Sequence, residues 1–287
     1  MAKTTIAIMY DFDKTLSTTD MQEYGFIKNL GMTPAEFWGE AAKLTNSQGM
    51  DKILAYMLVM INECKKKGIK LTREYLNECG KNIVYYRGVN TWFDRINQFG
   101  QENDVNIEHY IISSGNKEIL EGSSIAKYFK KIYGCEFYYN ENGEACWPSM
   151  AINFTLKTQF IFRISKGVLD VRDDASLNKH TDDRKIPYSN LIYIGDGLTD
   201  IPSMRVVKDK GGVAIAVYPS GDKHHVEQLV KESRINFVYG ADYSQGSGLE
   251  NTVKLCIENI ALKTKIQAKE EQLRTKYMKE YEEIHED

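Results

Sequence analysis

Thr4-Thr5-Ile6-Ala7-Ile8-Met9-Tyr10-Asp11-Phe12-Asp13-Lys14-Thr15-Leu16 runs close to the start of the chain, and the rest of the sequence is organised around it. Residues 6–10 form a short apolar run with the length of one buried strand. The run ends in two aspartates at i and i+2, followed by a hydroxyl residue. On a continuing strand this spacing puts both carboxylates on one face, where they repel unless a cation or a shared proton relieves them. Oxygen ligands of this kind suit a hard divalent metal. A strand that ends in an aspartate-containing turn is the plain alternative, and the rest of the chain has to choose between the two.

The composition sets wide bounds. A chain of 287 residues, 42% hydrophobic and 27% charged, can build a sizeable core as one large domain or as a core with an insert. A net charge of -3 gives no electrostatic case for nucleic acid or an anionic membrane. Cys64, Cys79, Cys135, Cys146 and Cys256 are scattered, without Cys-x-x-Cys or metal-finger spacing, which is the pattern of reduced thiols in a cytosolic protein. The apolar run before Asp11 is too short for a signal peptide, and no stretch has the length of a membrane span. The expectation is a soluble, cytoplasmic protein with no nucleic-acid or membrane partner.

After the first strand, residues 20–86 read as helical throughout. Asp20-x-x-Glu23 resembles a capping box, and Thr33-Pro34-Ala35-Glu36 is a stronger one, with proline at N1 and glutamate at N3. A helix from Met50 has Ile53, Leu54, Met57, Leu58 and Ile61 on one face and stops at Gly68 after Lys65-Lys66-Lys67. Thr72 opens another helix toward Tyr85. Four helices without an intervening strand form an insert. Residues 89–99 read as a helix, residues 110–112 as a buried strand ending at Ser113-Ser114-Gly115, and residues 117–129 as a helix. Residues 136–154 form a β-hairpin turning at Glu141-Asn142-Gly143, and residues 155–165 a helix. Residues 168–189 are polar and read as an exposed excursion. Leu191-Ile192-Tyr193-Ile194 is a strand ending in Gly195-Asp196-Gly197, followed by helix, strand (212–218), helix (223–232) and strand (237–238). Residues 249–283 form a last helix, with Leu249, Val253, Ile257, Ile266, Leu273, Tyr277 and Ile284 at helical spacing on a charged background. It packs on the core and then projects, into solvent or onto a partner subunit.

Alternating strands and helices imply a Rossmann-like α/β fold: a doubly wound parallel sheet with an inserted helical cap and a small hairpin. The expected organisation is a core of residues 1–18 and 88–250, a cap of 19–87 and a C-terminal helical tail of 251–287. Ligands of such sheets bind at the carboxyl ends of the strands, where Asp11, Ser113 and Asp196 all fall. Asp196 lies between two glycines, with Asp200 four residues on. Ser113 ends a strand ahead of Gly115 and a helix, a place for a phosphate oxygen or for simple helix capping. Lys157 sits in the first turn of its helix, where a cation opposes the dipole. Lys166 sits in the last turn, where the dipole favours it. A broken local rule points to function, so Lys157 is preferred.

Asp11-Phe12-Asp13-x-Thr15-Leu16, Ile112-Ser113, Lys157 and Gly195-Asp196-Gly197-x-x-Asp200 resemble, in type and order, the four motifs of the haloacid dehalogenase superfamily. Ser113-Ser114-Gly115 with Ile119-Leu120-Glu121, and the helical insert, look most like its phosphoserine phosphatase branch, whose cap is of the C1 type. The resemblance implies a Mg²⁺-dependent phosphatase acting through an aspartyl-phosphate. Asp11 would be the nucleophile and Asp13 the acid and then the base. Mg²⁺ would be held by Asp11, the Asp13 carbonyl and Asp196, with Asp200 in support. Ser113 and Lys157 would hold the phosphoryl oxygens, with Ser114 and Gly115 beside the substrate. Asp13 argues against dehalogenation, which needs neither metal nor that acid. Asp20 matches the branch's amine-binding acid, which favours phosphoserine or another aminated ester as the small phosphorylated substrate; a helix N-cap is the alternative. The branch's cap arginine has no counterpart in the Met50 helix, the nearest being Arg73 and Arg87. Phe37 and Trp38 could stack on a base or simply fill the cap core. Nucleotide and sugar phosphatases, a phosphotransferase or mutase, and a non-catalytic binding protein are the other readings. The chain is expected as a monomer, or as a homodimer through its C-terminal helix.

Overall fold

The computed structural model describes residues 3–180, 184–219 and 222–285. In chain order the elements are β1 (Thr4–Tyr10), α1 (Met21–Tyr24), α2 (Phe26–Asn29), α3 (Pro34–Gln48), α4 (Lys52–Lys66), α5 (Arg73–Gly80), α6 (Val89–Glu102), β2 (Val105–Asn116), α7 (Lys117–Glu121) and β3 (Phe129–Tyr139). They continue as β4 (Ala145–Met150), α8 (Lys157–Lys166), α9 (Asp174–Asn178), β5 (Leu191–Gly195), α10 (Ile201–Asp209), β6 (Val213–Tyr218), α11 (His224–Lys231), β7 (Phe237–Gly240) and α12 (Gly248–His285).

One seven-stranded sheet runs in the order β4-β3-β2-β1-β5-β6-β7. All neighbours are parallel except the β3–β4 hairpin. The chain winds outward from β1 in both directions, so the switch point of the topology lies between β1 and β5, where such sheets bind ligands. The apolar run that opened the sequence is fully buried from Ile6 to Tyr10, as a strand covered on both faces must be. Tyr10 is in register with Ile111 of β2 and Ile194 of β5. The residues that follow these three therefore arrive together at one sheet edge. The Rossmann-like core with a helical insert is as expected from the sequence.

Several element boundaries differ from expectation, each for a local reason. Asp20 stands at the N-cap of α1 but makes no side-chain cap bond; Lys14 holds its carboxylate instead. Glu23 likewise does not complete a capping box, since its carboxylate accepts from Trp38 Nε1–H at 3.2 Å. The capping box at Thr33 and Glu36 does form. Of the expected α4 face of Ile53, Leu54, Met57, Leu58 and Ile61, only Met57 and Ile61 are buried, together with Ala55, Tyr56, Val59 and Met60, whereas Leu54 is exposed. The reason is that α4 packs against both α3 and β4. α5 stops at Gly80 rather than near Tyr85, which forms a bridge to Ser17. The strand at residues 110–112 is the middle of the longer β2. The helix at 117–129 ends at Glu121, and the chain re-enters the sheet at Phe129. A Cβ on Gly122 would stand 1.9 Å from the Asn77 carbonyl oxygen. The close approach of α5 thus requires glycine at the residue where α7 ends. The excursion after α8 is tied down by Arg163, which is buried and donates to the carbonyls of Asp170 and Val171. Residues 181–183 of that excursion lie outside the described residues. No helix is long and apolar enough to cross a membrane among the described residues.

Candidate active site

The loop after β1 is fixed by the Phe12 carbonyl, which accepts N–H groups from Thr15, Leu16 and Ser17. Tyr243 O–H donates to the Thr15 carbonyl at 2.9 Å. Lys14 sits in the left-handed region at φ 58°, a conformation that costs a side-chain-bearing residue energy and is retained where surrounding structure dictates it. From there its ammonium reaches Asp20 Oδ2 at 2.9 Å. Asp11 is anchored through its backbone, its N–H donating to the Ile194 carbonyl of β5 at 2.9 Å.

Three acids and one lysine converge at this edge. Lys157 opens α8 and is almost wholly buried. Its ammonium donates to Asp11 Oδ1 at 2.7 Å and Asp200 Oδ1 at 2.8 Å. Burial alone would lower its pKa, but the charges of Asp11 and Asp200 hold it well above the usual range. Tyr193 O–H donates to the same Asp200 oxygen at 2.7 Å. Carboxylate oxygens of Asp11, Asp196 and Asp200 all lie within 4.8 Å of one another. Burial lifts Asp11 to about 6 despite the nearby lysine. Asp196 is pushed well above the carboxylate range by burial and then by Asp11 and Asp200. Asp200 Oδ2 is buried and has no hydrogen-bond partner among the described residues. Three oxygen donors compensated by one ammonium, with a buried oxygen left over, fit a hard divalent cation.

Asp13 belongs to a different neighbourhood. Its carboxylate lies outside the three-acid cluster and accepts the backbone N–H of Met21, at the start of α1, at 2.7 Å. Burial, then the charges of Asp20 and Asp11, raise its pKa well above the usual value. The two aspartates of the opening stretch thus face different partners, one toward the acid cluster and one toward the insert. Gly115 borders the same contact: a Cβ there would stand 2.1 Å from Met21 Cε and 3.1 Å from Asp13 Oδ2, so any larger residue would have to displace the Met21 side chain and crowd the Asp13 carboxylate.

Two adjoining clefts meet here, of about 610 Å³ and 480 Å³, both lined by Asp13, Asp20, Lys52, Ile53, Ser114 and Thr199. The smaller contains Asp11, Lys157 and Asp196; the larger extends under the insert to Trp38 and Tyr56. Ser114 and Gly115 therefore face the open space. Ser113 lines neither cleft: it is buried, and its Oγ accepts from the Gly115 N–H at 2.9 Å. Lys166 donates to the carbonyls of Leu177 and Lys179 in the excursion, away from the acids that Lys157 touches. Phe37 is core of the insert, whereas Trp38 lines the cleft. Neither Arg73 nor Arg87 lines either of these two clefts; Arg73 lies over the Tyr139 ring and Arg87 near Asp242.

Sequence reasoning did not single out Tyr193, Lys14 or Lys52. A tyrosine in an otherwise aliphatic strand, two residues before Gly195, was the available signal for the first. For Lys52 it was a cation in the first turn of α4, the same irregularity that marked Lys157.

The parallel sheet with acids at the ends of its central strands has counterparts of known family. The family model for haloacid dehalogenase-like hydrolases matches residues 8–205, and the chain belongs to that family. An uncharacterized protein of Borreliella burgdorferi is 28% identical over 284 residues, covering 88% of this chain and 97% of that protein. Among solved structures, a probable phosphoserine phosphatase from Vibrio cholerae superposes with a TM-score of 0.59 at 13% identity, over 92% of this chain and 67% of that one. A substrate-bound phosphoserine phosphatase gives 0.54 at 14% identity, over 84% and 96%. A family hydrolase from Salmonella enterica serovar Typhi gives 0.51 at 17%, over 84% and 71%. At these identities the likeness is one of fold.

Proposed function

We propose that the protein is a phosphomonoester hydrolase that acts on a small phosphorylated metabolite through an aspartyl-phosphate on Asp11, with Mg²⁺ as its cofactor. The observation that carries this reading is the division of labour between the two aspartates. Asp11 sits with Lys157, Asp196 and Asp200, while Asp13 faces the insert and the larger cleft.

Asp11 Oδ attacks phosphorus, and the bond from phosphorus to the ester oxygen breaks. The Asp13 carboxyl delivers its proton to that departing oxygen, and the alcohol leaves through the larger cleft. Asp13, now ionised, takes a proton from water. The resulting hydroxide attacks phosphorus, releasing inorganic phosphate and regenerating Asp11. Lys157 holds a positive charge beside the transferred group throughout, and the Ser114–Gly115 segment borders it; such preorganised charge is most of what phosphoryl transfer requires. Asp11, the Asp13 carbonyl, Asp196 and Asp200 would hold Mg²⁺, which supplies charge neutralisation of the phosphoryl oxygens. Tyr193 and Lys157 fix Asp200 in place for that role.

For the substrate, Asp20 is already paired with an ammonium, that of Lys14, so an aminated ester would have to displace an internal ion pair. That weighs against an amine as the determinant, and the insert offers Lys52 and Trp38 to the ester's other end. The test is a panel of aminated and non-aminated phosphate esters, with an aryl phosphate as reference, assayed with Mg²⁺ and with excess chelator. Hydrolysis that stops in chelator supports the reading, and full hydrolysis in chelator overturns it. Asp20→Ala should affect aminated and non-aminated esters alike; a loss confined to aminated esters would restore the amine-binding role.

A further inference from the structure

The last helix carries a feature unrelated to the catalytic site. Its first turns bury Leu249, Val253, Ile257 and Ile260 against the core, contacting β1, α6 and β7. On the opposite side stand Leu255, Leu262, Ile266, Leu273 and Tyr277, between 42% and 65% exposed. At 3.6 residues per turn these five fall within about 60° of arc, in one stripe roughly 33 Å long. A monomer gains nothing from an apolar line of that length facing water, and large exposed apolar strips mark contact surfaces.

The stripe is self-complementary. Four of its members, Leu262, Ile266, Leu273 and Tyr277, are spaced 4, 7 and 4 residues apart. That series reads the same in both directions about a point between Lys269 and Glu270. An eleven-residue repeat also matches an almost straight helix, so two copies can run side by side without strong supercoiling. The charges reverse about the same point. Residues 254–269 contain four lysines and one glutamate, whereas residues 270–285 contain five glutamates and three basic residues. Antiparallel copies set the basic half of one against the acidic half of the other; parallel copies would set lysines on lysines. Because the stripe points away from the core, the two cores lie on the outer sides of the helix pair and do not collide.

We infer that α12 is a homodimerisation helix that pairs antiparallel with a second copy of this chain. A two-fold axis passes beside Lys269 and Glu270, and Ile266 lies opposite the partner's Leu273, with Leu262 opposite the partner's Tyr277. A closed two-fold contact of this kind stops at the dimer.

Sedimentation equilibrium on the full chain tests it. The wild type is expected to be a dimer at micromolar concentration. Ile266→Glu and, separately, Leu273→Lys should each raise the dissociation constant by about 100-fold or more, because the symmetry axis places every substitution twice in the seam. Both residues are half exposed in the monomer, so both variants should keep the wild-type circular dichroism spectrum. Orientation is read by mixing Ile266→Cys with Leu273→Cys and adding a short bis-maleimide. The mixed pair should cross-link, and Ile266→Cys alone should not. A chain that is monomeric throughout overturns the proposal. So does a dimer indifferent to both charge substitutions, or one in which Ile266→Cys cross-links to itself.

Discussion

Replacing Lys157 by methionine keeps the aliphatic stem of a fully buried side chain and removes only its charge. In the native chain that ammonium is bonded to Asp11 and Asp200 at 2.7 and 2.8 Å. The variant leaves two carboxylates in a buried site facing each other, and breaking a buried ion pair from one side typically costs about 3–5 kcal/mol. The cost depends on pH with a definite sign. Burial raises the folded-state pKa of Asp11 to about 6, above the ordinary aspartate value of 3.8, so the folded chain keeps a proton that the unfolded chain has lost. The stability carried by that proton disappears as pH rises through the folded value. Without Lys157 the folded value rises further, and the variant loses stability up to a higher pH than the wild type does. Urea unfolding of metal-free protein should show the deficit widening between about pH 5.5 and pH 8, by at most ~1.4 kcal/mol per pH unit for one carboxyl. The double variant Lys157→Met/Asp200→Asn should recover much of the stability while hydrolysis stays about 10²–10³-fold below wild type, the typical cost of losing one transition-state charge donor. A Lys157→Met protein less than about 1 kcal/mol below wild type at pH 8, with no pH trend, would refute the idea that this lysine balances the acid cluster.

Two further substitutions probe the surroundings. Lys166→Ala should leave kcat within about twofold of wild type, because Lys166 bonds the excursion and lies over the Phe162 ring, away from the acids. It should instead increase protease cleavage between α9 and β5; a large loss of activity would move the functional lysine from Lys157 to Lys166. Gly115→Ala forces a methyl group onto Met21 and beside Asp13, which should cost about 1–3 kcal/mol as overpacking does. It should also lower kcat, because the methyl group crowds the Asp13 carboxylate; wild-type kcat in a stable Gly115→Ala protein would show that Asp13 tolerates the change.

The sheet was legible because burial on both faces leaves a plain mark, an unbroken apolar run closed by a polar turn, at β1 and β5 alike. The hairpin turn at Glu141-Asn142-Gly143 and the cap at Thr33 were legible for the same reason: local chemistry alone determines them. What escaped depends on contacts between distant parts of the chain. α7 reads as a long helix until Asn77 of α5, far earlier in sequence, is packed onto Gly122. Asp20 reads as an ordinary N-cap until the left-handed backbone at Lys14 swings an ammonium onto it. The site was legible in its acids, whose positions follow from the strand ends. It was not legible in Tyr193, which meets Asp200 only when the strands are assembled, or in Lys52, which reaches the clefts only when the insert is in place. The shared face first expected for Asp11 and Asp13 also gave way: α1 draws the Asp13 carboxylate toward its own backbone and separates the pair.

The central claim is that Asp11 itself becomes phosphorylated during turnover. Rapid-quench of the Mg²⁺-loaded enzyme with an aryl phosphate, followed by acid proteolysis and mass spectrometry, measures this directly. A phosphoryl group is expected on the peptide that contains Asp11, labile to hydroxylamine as an acyl phosphate is, and absent from Asp11→Asn together with the activity. Phosphate found instead on Ser113 or Ser114, or an Asp11→Asn protein that turns over at the wild-type rate, would contradict the account.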